Sequence, residues 1–262
     1  MRRMTVTLTI AGCALTLLLC ASRPEEPSRA QQLLAAARAA IGKQKNYAFE
    51  WRCDIGLSDS ADHAIDFVAF LQAQNARVYD ELLAIPDLEL YRLGERGALR
   101  GLHGWQSIES HYVGKYVAML MPSPEAILAE AARETGHEIA AKNPPLTEVS
   151  VALAKRVATK YWERVVQSRA LAGPGEDIPK FLARIDGTRV EGRTLVSIDT
   201  GTGEPREIVV LLAVGLTGDH GDKKRLDEQE HLVVRSAYLI SEIGKVAPIT
   251  VPEPAQRFLR KP

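Results

Sequence analysis

Residues 47–55 read Tyr47-Ala48-Phe49-Glu50-Trp51-Arg52-Cys53-Asp54-Ile55. Bulky apolar side chains alternate with small or charged ones, a period of two. This pattern belongs to a strand with one face buried and the other wet. Further on, Ile208-Val209-Val210-Leu211-Leu212-Ala213-Val214 carries no polar residue on either face. Such a run predicts a central strand covered on both sides. Together the two stretches demand a large sheet with a substantial apolar face.

The neighbouring sequence extends the sheet. Ser58 to Asp62 is turn-like, and Ile65–Leu71 and Ala76–Leu83 read as the next two strands. Pro86-Asp87 interrupts, and Asp87–Leu93 follows. Gly94-Glu95-Arg96-Gly97 reads as a hairpin turn, with Ala98–Gly101 returning and Gly104-Trp105 closing a meander. Connections this short permit only antiparallel pairing. Upstream, Ser28-Arg29-Ala30-Gln31 resembles a capping box ahead of Leu33, Leu34, Ala37, Ala40 and Ile41 at helical spacing, with Gly42 ending the run.

From about 106 to 172 the spacing suggests a helical block. Ser123 and Pro124 suit a helix start with Glu125 in its first turn. After Asn143-Pro144-Pro145, Thr147 is positioned to cap a longer helix carrying Val149, Leu153, Val157, Tyr161 and Val165. Strands return at Val190–Thr200, Ile208–Val214, His231–Ser241 and Val246–Val251, before a tail at Ala255–Leu259. The order helix, strands, helices, strands is an α+β pattern with an antiparallel sheet. A doubly wound nucleotide fold, which needs βαβ alternation, is excluded.

The amino terminus gives an address. Arg2 and Arg3 precede an uncharged apolar run from Val6 to Ala21, and Arg23-Pro24-Glu25-Glu26-Pro27 follows. A basic start, an apolar middle and a polar exit form a secretory leader over residues 1–22, with residues 23–262 as one domain. The apolar run is shorter than the roughly 20 residues of a spanning helix. Two processing routes remain open. Cleavage after Cys20-Ala21-Ser22 releases a soluble protein. Lipid attachment at Cys13, within Ile10-Ala11-Gly12-Cys13, or at Cys20 tethers it to a membrane. Either route implies export to the periplasm or cell envelope.

Composition narrows the function. The 262 residues hold 33 Lys+Arg and 33 Asp+Glu. Loss of residues 1–20 removes two bases and no acid, leaving 31 against 33 and a net charge of −2. Nucleic-acid binding needs a basic excess to displace counterions and is not expected. Aromatics at 6% make base-stacking platforms equally unexpected. With both leader cysteines set aside, Cys53 stands alone and reads as a buried hydrophobe.

No catalytic constellation emerges. No two of the six histidines have zinc-helix spacing. The crowded turn of Asp59, Asp62, His63 and Asp66 reads as solvated, as does Asp219-His220-Gly221-Asp222. Gly201-Thr202-Gly203 leads into a strand, so it reads as a turn rather than a phosphate loop. No metal, cofactor or enzymatic activity is expected. The notable feature is bulk on the first sheet. Tyr47, Phe49, Trp51, Phe67, Tyr91 and Trp105, with Val210 and Leu212, are candidates to line an apolar cavity between sheet and helices. The rival reading is that they are solid core.

Two stretches carry a resemblance. Leu90-Tyr91-Arg92-Leu93-Gly94-Glu95-Arg96-Gly97-Ala98-Leu99-Arg100 with Gly104-Trp105 is one. Ile243-Gly244-Lys245-Val246-Ala247-Pro248-Ile249-Thr250-Val251-Pro252 is the other. With the overall layout, they resemble the LolA/LolB lipoprotein-localisation superfamily, including lipid-binding lipoproteins of the LppX/LprG type and planctomycete-type exported proteins of the same shape. The resemblance implies a curved antiparallel sheet, an unclosed half-barrel, with helices covering its concave face. It also implies a hydrophobic ligand or lipoprotein acyl chain as partner, held without covalent chemistry. For the leader, the expected outcome is a mature chain lacking Arg2 and Arg3. Mass spectrometry of the mature amino terminus should find Arg23 first, or a lipid-modified Cys13 or Cys20.

Overall fold

The structure is a computed structural model. It describes residues 27–58, 65–111, 117, 121–134, 136–168, 185–216 and 231–260, for 57–58 and 65–72 the backbone alone. The leader with Cys13 and Cys20, the turn at 59–64, residues 169–184 and the loop at 217–230 lie outside the described residues. The side chains of Asp66 and Phe67 do too.

Helix α1 (Arg29–Gln44) leads into β1 (Asn46–Ser58), β2 (Ile65–Tyr79), β3 (Leu82–Ile85), β4 (Leu90–Leu93), β5 (Arg96–Gly101) and β6 (Gly104–Ser107). Then come α2 (Pro124–Ala131), β7 (His137–Ala141), β8 (Leu146–Ala152), α3 (Lys155–Ser168), β9 (Ile185–Asp199), β10 (Pro205–Leu216), β11 (His231–Ser241) and α4 (Glu253–Leu259). Among the described residues the eleven strands form one sheet in the order β6-β5-β4-β3-β2-β1-β11-β10-β9-β8-β7, every pair antiparallel. Strands β6 and β7 are its two edges, so the sheet is an unclosed half-barrel. It consists of two meanders joined where β1 pairs with β11.

Register sets the apolar face. Trp51 lies opposite Tyr238, which lies opposite Ile208, which lies opposite Val196. All four are buried. The next row along, Cys53, Ser236, Val210 and Thr194, admits two hydroxyls, and the one after it, with Ile55, Val234 and Leu212, is apolar again. Leu34, Ala37 and Ile41 of α1 and Val157, Ala158, Trp162 and Val165 of α3 join the same core. Helix α3 reaches β9 closely because Gly192 has no side chain. A Cβ there would sit 3.0 Å from Ala158 Cβ and 3.1 Å from Leu153 Cδ1.

The outer face is held by charge. Buried Asp54 accepts from Arg52 at 2.7 Å and pairs with Arg235 at 3.6 Å across the β1–β11 seam. Arg235 reaches Glu207 at 3.9 Å, and Lys142 bridges Glu207 and Glu148 at 3.2 and 3.3 Å. The partly exposed pairs contribute little each. Their chief effect is to keep this face polar and so fix which side faces the core.

Local signals for the first two helices hold. Ser28 and Gln31 form the reciprocal capping box, and Ser123 Oγ accepts from Ala126 N at 3.2 Å. Other expectations need correction. Residues 106–172 are not a helical block, because 137–141 and 146–152 are strands and α3 starts at Lys155. The stripe Val149, Leu153, Val157 recurs every four residues, an even number that fits a strand as well as a helix. The alternation of Thr147, Val149 and Val151 decides for strand at β8. Strand β7 is exposed along most of its length and so has no alternation to detect. The two strands expected at 65–83 are one long β2 and a short β3. Between them Asp80 and Glu81 turn with φ of 47° and 70°, the pattern of a type I′ turn made without glycine. Residues 246–251 form no strand.

Trp51 Nε1 donates to Ser236 Oγ at 2.8 Å across the seam. Ser236→Ala leaves this buried donor unmatched, with an expected loss of about 1–3 kcal/mol in urea unfolding. Gly192→Ala should lose a similar amount, about 1–3 kcal/mol, by pushing α3 off β9. Unchanged midpoints would contradict the packing at both places.

Candidate functional site

One row of the sheet points at a gap that the helices leave open. Tyr47 lies opposite Val78, Val78 opposite Leu83, Leu83 opposite Arg92 and Arg92 opposite Gly97. All five residues are on one face, and the first four border a cavity of about 830 Å³. The end of α1 contributes Ile41, and residues 121–126 and α3 form the far wall. Ile108 closes over Gly97, where a Cβ would lie 2.7 Å from both Ile108 Cγ2 and Tyr91 O. Glycine at 97 is therefore required for this wall. The volume falls within the roughly 300–1,000 Å³ of small-molecule sites.

The cavity has an apolar floor and a charged surround. Ile41, Tyr47, Val78, Leu83, Ile108 and Met121 are buried around it. Lys45, Glu81, Glu95, Glu109 and Glu125 are exposed at its edge. Burial, with Glu125 adding to it, pushes the Tyr47 phenol above its ordinary range, so it stays neutral. Arg92 Nη1 donates to Met121 O at 3.0 Å. Burial lowers the Arg92 pKa, while Tyr238, Glu95 and Tyr47 push it back up and Arg164 lowers it further.

A second, smaller space adjoins the first. It holds about 20 Å³ between Cys53, Val210 and Leu212 on the sheet and Tyr161, Arg164 and Val165 on α3. This is room for about one water. Pro122 and Arg164 border both spaces.

The candidate lining residues therefore separate. Tyr47 borders the large cavity, and Val210 and Leu212 border the small one. Phe49 and Trp51 share their face but are packed into core, with the Phe49 ring 6.0 Å from Tyr47 and 5.6 Å from Tyr238. Tyr91 and Trp105 point the other way. Tyr91 shares its row with Ala84 and Ala98, one residue out of phase with Arg92, and stacks on Trp105 at 5.7 Å. They are not cavity residues, because an odd step along a strand changes face. Val78, Leu83, Arg92, Met121 and Arg164 went unread in the sequence. The available signal was Arg92 itself, a charge falling in phase with buried Leu90 on the apolar side of β4.

Other candidates for chemistry are occupied or inert. Asp199 accepts from Gly201 N at 2.9 Å and Thr202 N at 3.1 Å, so the amides at 201–203 are used within the turn. The amide of Thr202 leads, with Gly201 and Arg206, in holding this carboxyl below the usual range. No group of His, Cys, Asp and Glu among the described residues could hold a metal ion. None of the described helices is long and apolar enough to cross a membrane.

No family model and no curated protein matches the chain. Solved structures similar to the chain include two of low score. The Mycobacterium tuberculosis lipoprotein LppX is one, with a TM-score of 0.40 and 7% identity over 85% of this chain and 98% of that one. A LolA superfamily protein from Nitrosomonas europaea gives a TM-score of 0.24 and 9% identity over 88% and 97%. At such values the architecture rests on strand order and register.

Burial, reinforced by Asp54, pushes the Cys53 thiol from 9.0 up to about 12, and burial likewise takes Tyr161 from 10.0 to about 12. Folding favours the neutral thiol, so its contribution is intact below pH 9 and fades as pH rises towards 12. Between pH 9 and 10, before tyrosines titrate strongly, the wild-type urea midpoint should fall more steeply than that of Cys53→Ala. Parallel slopes would mean that the thiol is not held neutral.

Proposed function

We propose that this protein is exported to the periplasm or cell envelope, and there holds a hydrophobic ligand or a lipoprotein acyl chain non-covalently. The observation that carries the reading is the cavity of about 830 Å³ floored by Tyr47, Val78, Leu83, Ile108 and Met121. Each methylene transferred from water to such a floor contributes about 0.8 kcal/mol, so a chain of modest length binds without any catalytic group. The leader over residues 1–22 supports the location, and a lipid on Cys13 or Cys20 would add a membrane tether. The body of residues 23–262 acts as one domain. Val210 and Leu212 support the site from the adjoining pocket.

A second reading is an envelope interaction module with a solid core. It is favoured by the tight packing beneath α3, where only about 20 Å³ remains open. The two separate on one measurement. Delipidated protein titrated with a fluorescent fatty acid should show saturable binding. Leu83→Trp, which fills the cavity from β3, should weaken it at least tenfold while the far-ultraviolet circular dichroism is kept. Absence of saturable binding in the wild type would leave the module as the better reading.

A further inference from the structure

The cavity has a feature that a purely apolar ligand would not need. Arg92 enters from the sheet wall and Arg164 from α3, and both are half-buried and border the same space. They are close enough for Arg164 to press on the charge of Arg92. Arg92 holds Met121 O through one Nη and has a further partner besides, so it serves the cavity chiefly through its charge. Arg164 forms no hydrogen bond or ion pair among the described residues. A hydrocarbon laid against Arg164 would strip its guanidinium of solvent and return nothing.

A buried phenol lies behind the inner wall. Tyr238 is fully buried on the same face of the sheet, with its hydroxyl beside that of Ser236. Ser236 Oγ, two residues before it, already accepts the Trp51 indole N–H. Tyr238 interacts electrostatically with Tyr161, Cys53 and Arg92, which places it behind the space that the two arginines share.

We propose that the ligand of this cavity is an amphiphile with an anionic headgroup, and that Arg92 and Arg164 receive that headgroup while its chain lies along Tyr47, Val78 and Leu83. This rests on the binding reading above. A carboxylate or phosphate oxygen pair matches the planar fork of guanidinium donors in a way that an alcohol or ester does not. The acids Glu81, Glu95, Glu109 and Glu125 oppose an anion only weakly, because they are exposed and screened by salt. The arginines lie among buried side chains, where charge acts more strongly.

The test uses displacement of a fluorescent fatty acid by palmitate and by methyl palmitate, which differ only at the head. Wild-type protein should bind palmitate at least tenfold more tightly. Arg164→Leu should reduce this ratio to within twofold by weakening palmitate alone, and Arg164→Lys should recover part of it. Arg164 forms no hydrogen bond or ion pair among the described residues, so its variants should stay close to the wild-type melting temperature. A second arm compares phosphatidylglycerol with phosphatidylcholine. Preference for the former extends the headgroup to phosphodiesters, and preference only among fatty acids assigns it to carboxylates. Equal binding of palmitate and its ester to the wild type overturns the headgroup assignment and leaves the apolar cavity standing. Binding of neither overturns both.

Discussion

The pairing of β1 with β11 is the contact on which the molecule depends. Residues 48–58 run beside 231–241 without a break in register. Without that seam the chain would be two separate meanders, each with one apolar face exposed. With it, eleven strands share one core. The seam is secured on both sides of the sheet. Trp51 reaches Ser236 on the inner face, and Asp54 meets Arg235 on the outer. Its partners are far apart in sequence, so loop-closure entropy must be overcome before the seam gives any stabilisation.

The cavity follows from how the inner face is covered. Helices α1 and α3 pack over the long strands near the seam, and there the interior is dense. The short strands β3 to β5 extend the same face away from the seam. The row of Tyr47, Val78, Leu83 and Arg92, running from β1 to β4, is bounded by Ile41 of α1, by Ile108 and residues 121–126, and by Arg164 of α3. The space thus lies at the boundary between packed sheet and extended sheet. Gly97 and Gly192 play opposite parts in it. The first lets a wall close, and the second draws α3 down and leaves only a water-sized pocket behind it.

Much of the sheet was legible from alternation. Tyr47–Ile55 and His231–Ser241 are strands as read, and Ile208–Val214 is a strand too, but it is covered fully on its inner side only, with Leu211 and Ala213 half-buried on the outer. What failed did so for physical reasons. A stripe repeating every four residues cannot separate strand from helix at Val149–Val157. The Asp80–Glu81 turn has no glycine or proline to mark it. Aromatic bulk drew attention to Tyr91 and Trp105, although a residue's face depends on phase and not on size. The cavity residues lie on six separate segments, and only register brings them together. Arg92 was visible as a charge out of pattern, but its partner Arg164 belongs to α3, whose start was misplaced.

Among the described residues the sheet does not close, and that leaves two unpaired edges. Each presents backbone donors and acceptors able to recruit a second copy of the chain. The two ends meet this hazard differently. Strand β6 spans only four residues, too few for a durable ladder. Strand β7 is longer but carries Glu138, which faces Arg193, and runs into Lys142 with its two carboxylates. An incoming strand would have to set its own side chains among these charges. Brevity at one end and charge at the other both oppose the edge-to-edge addition from which fibres grow.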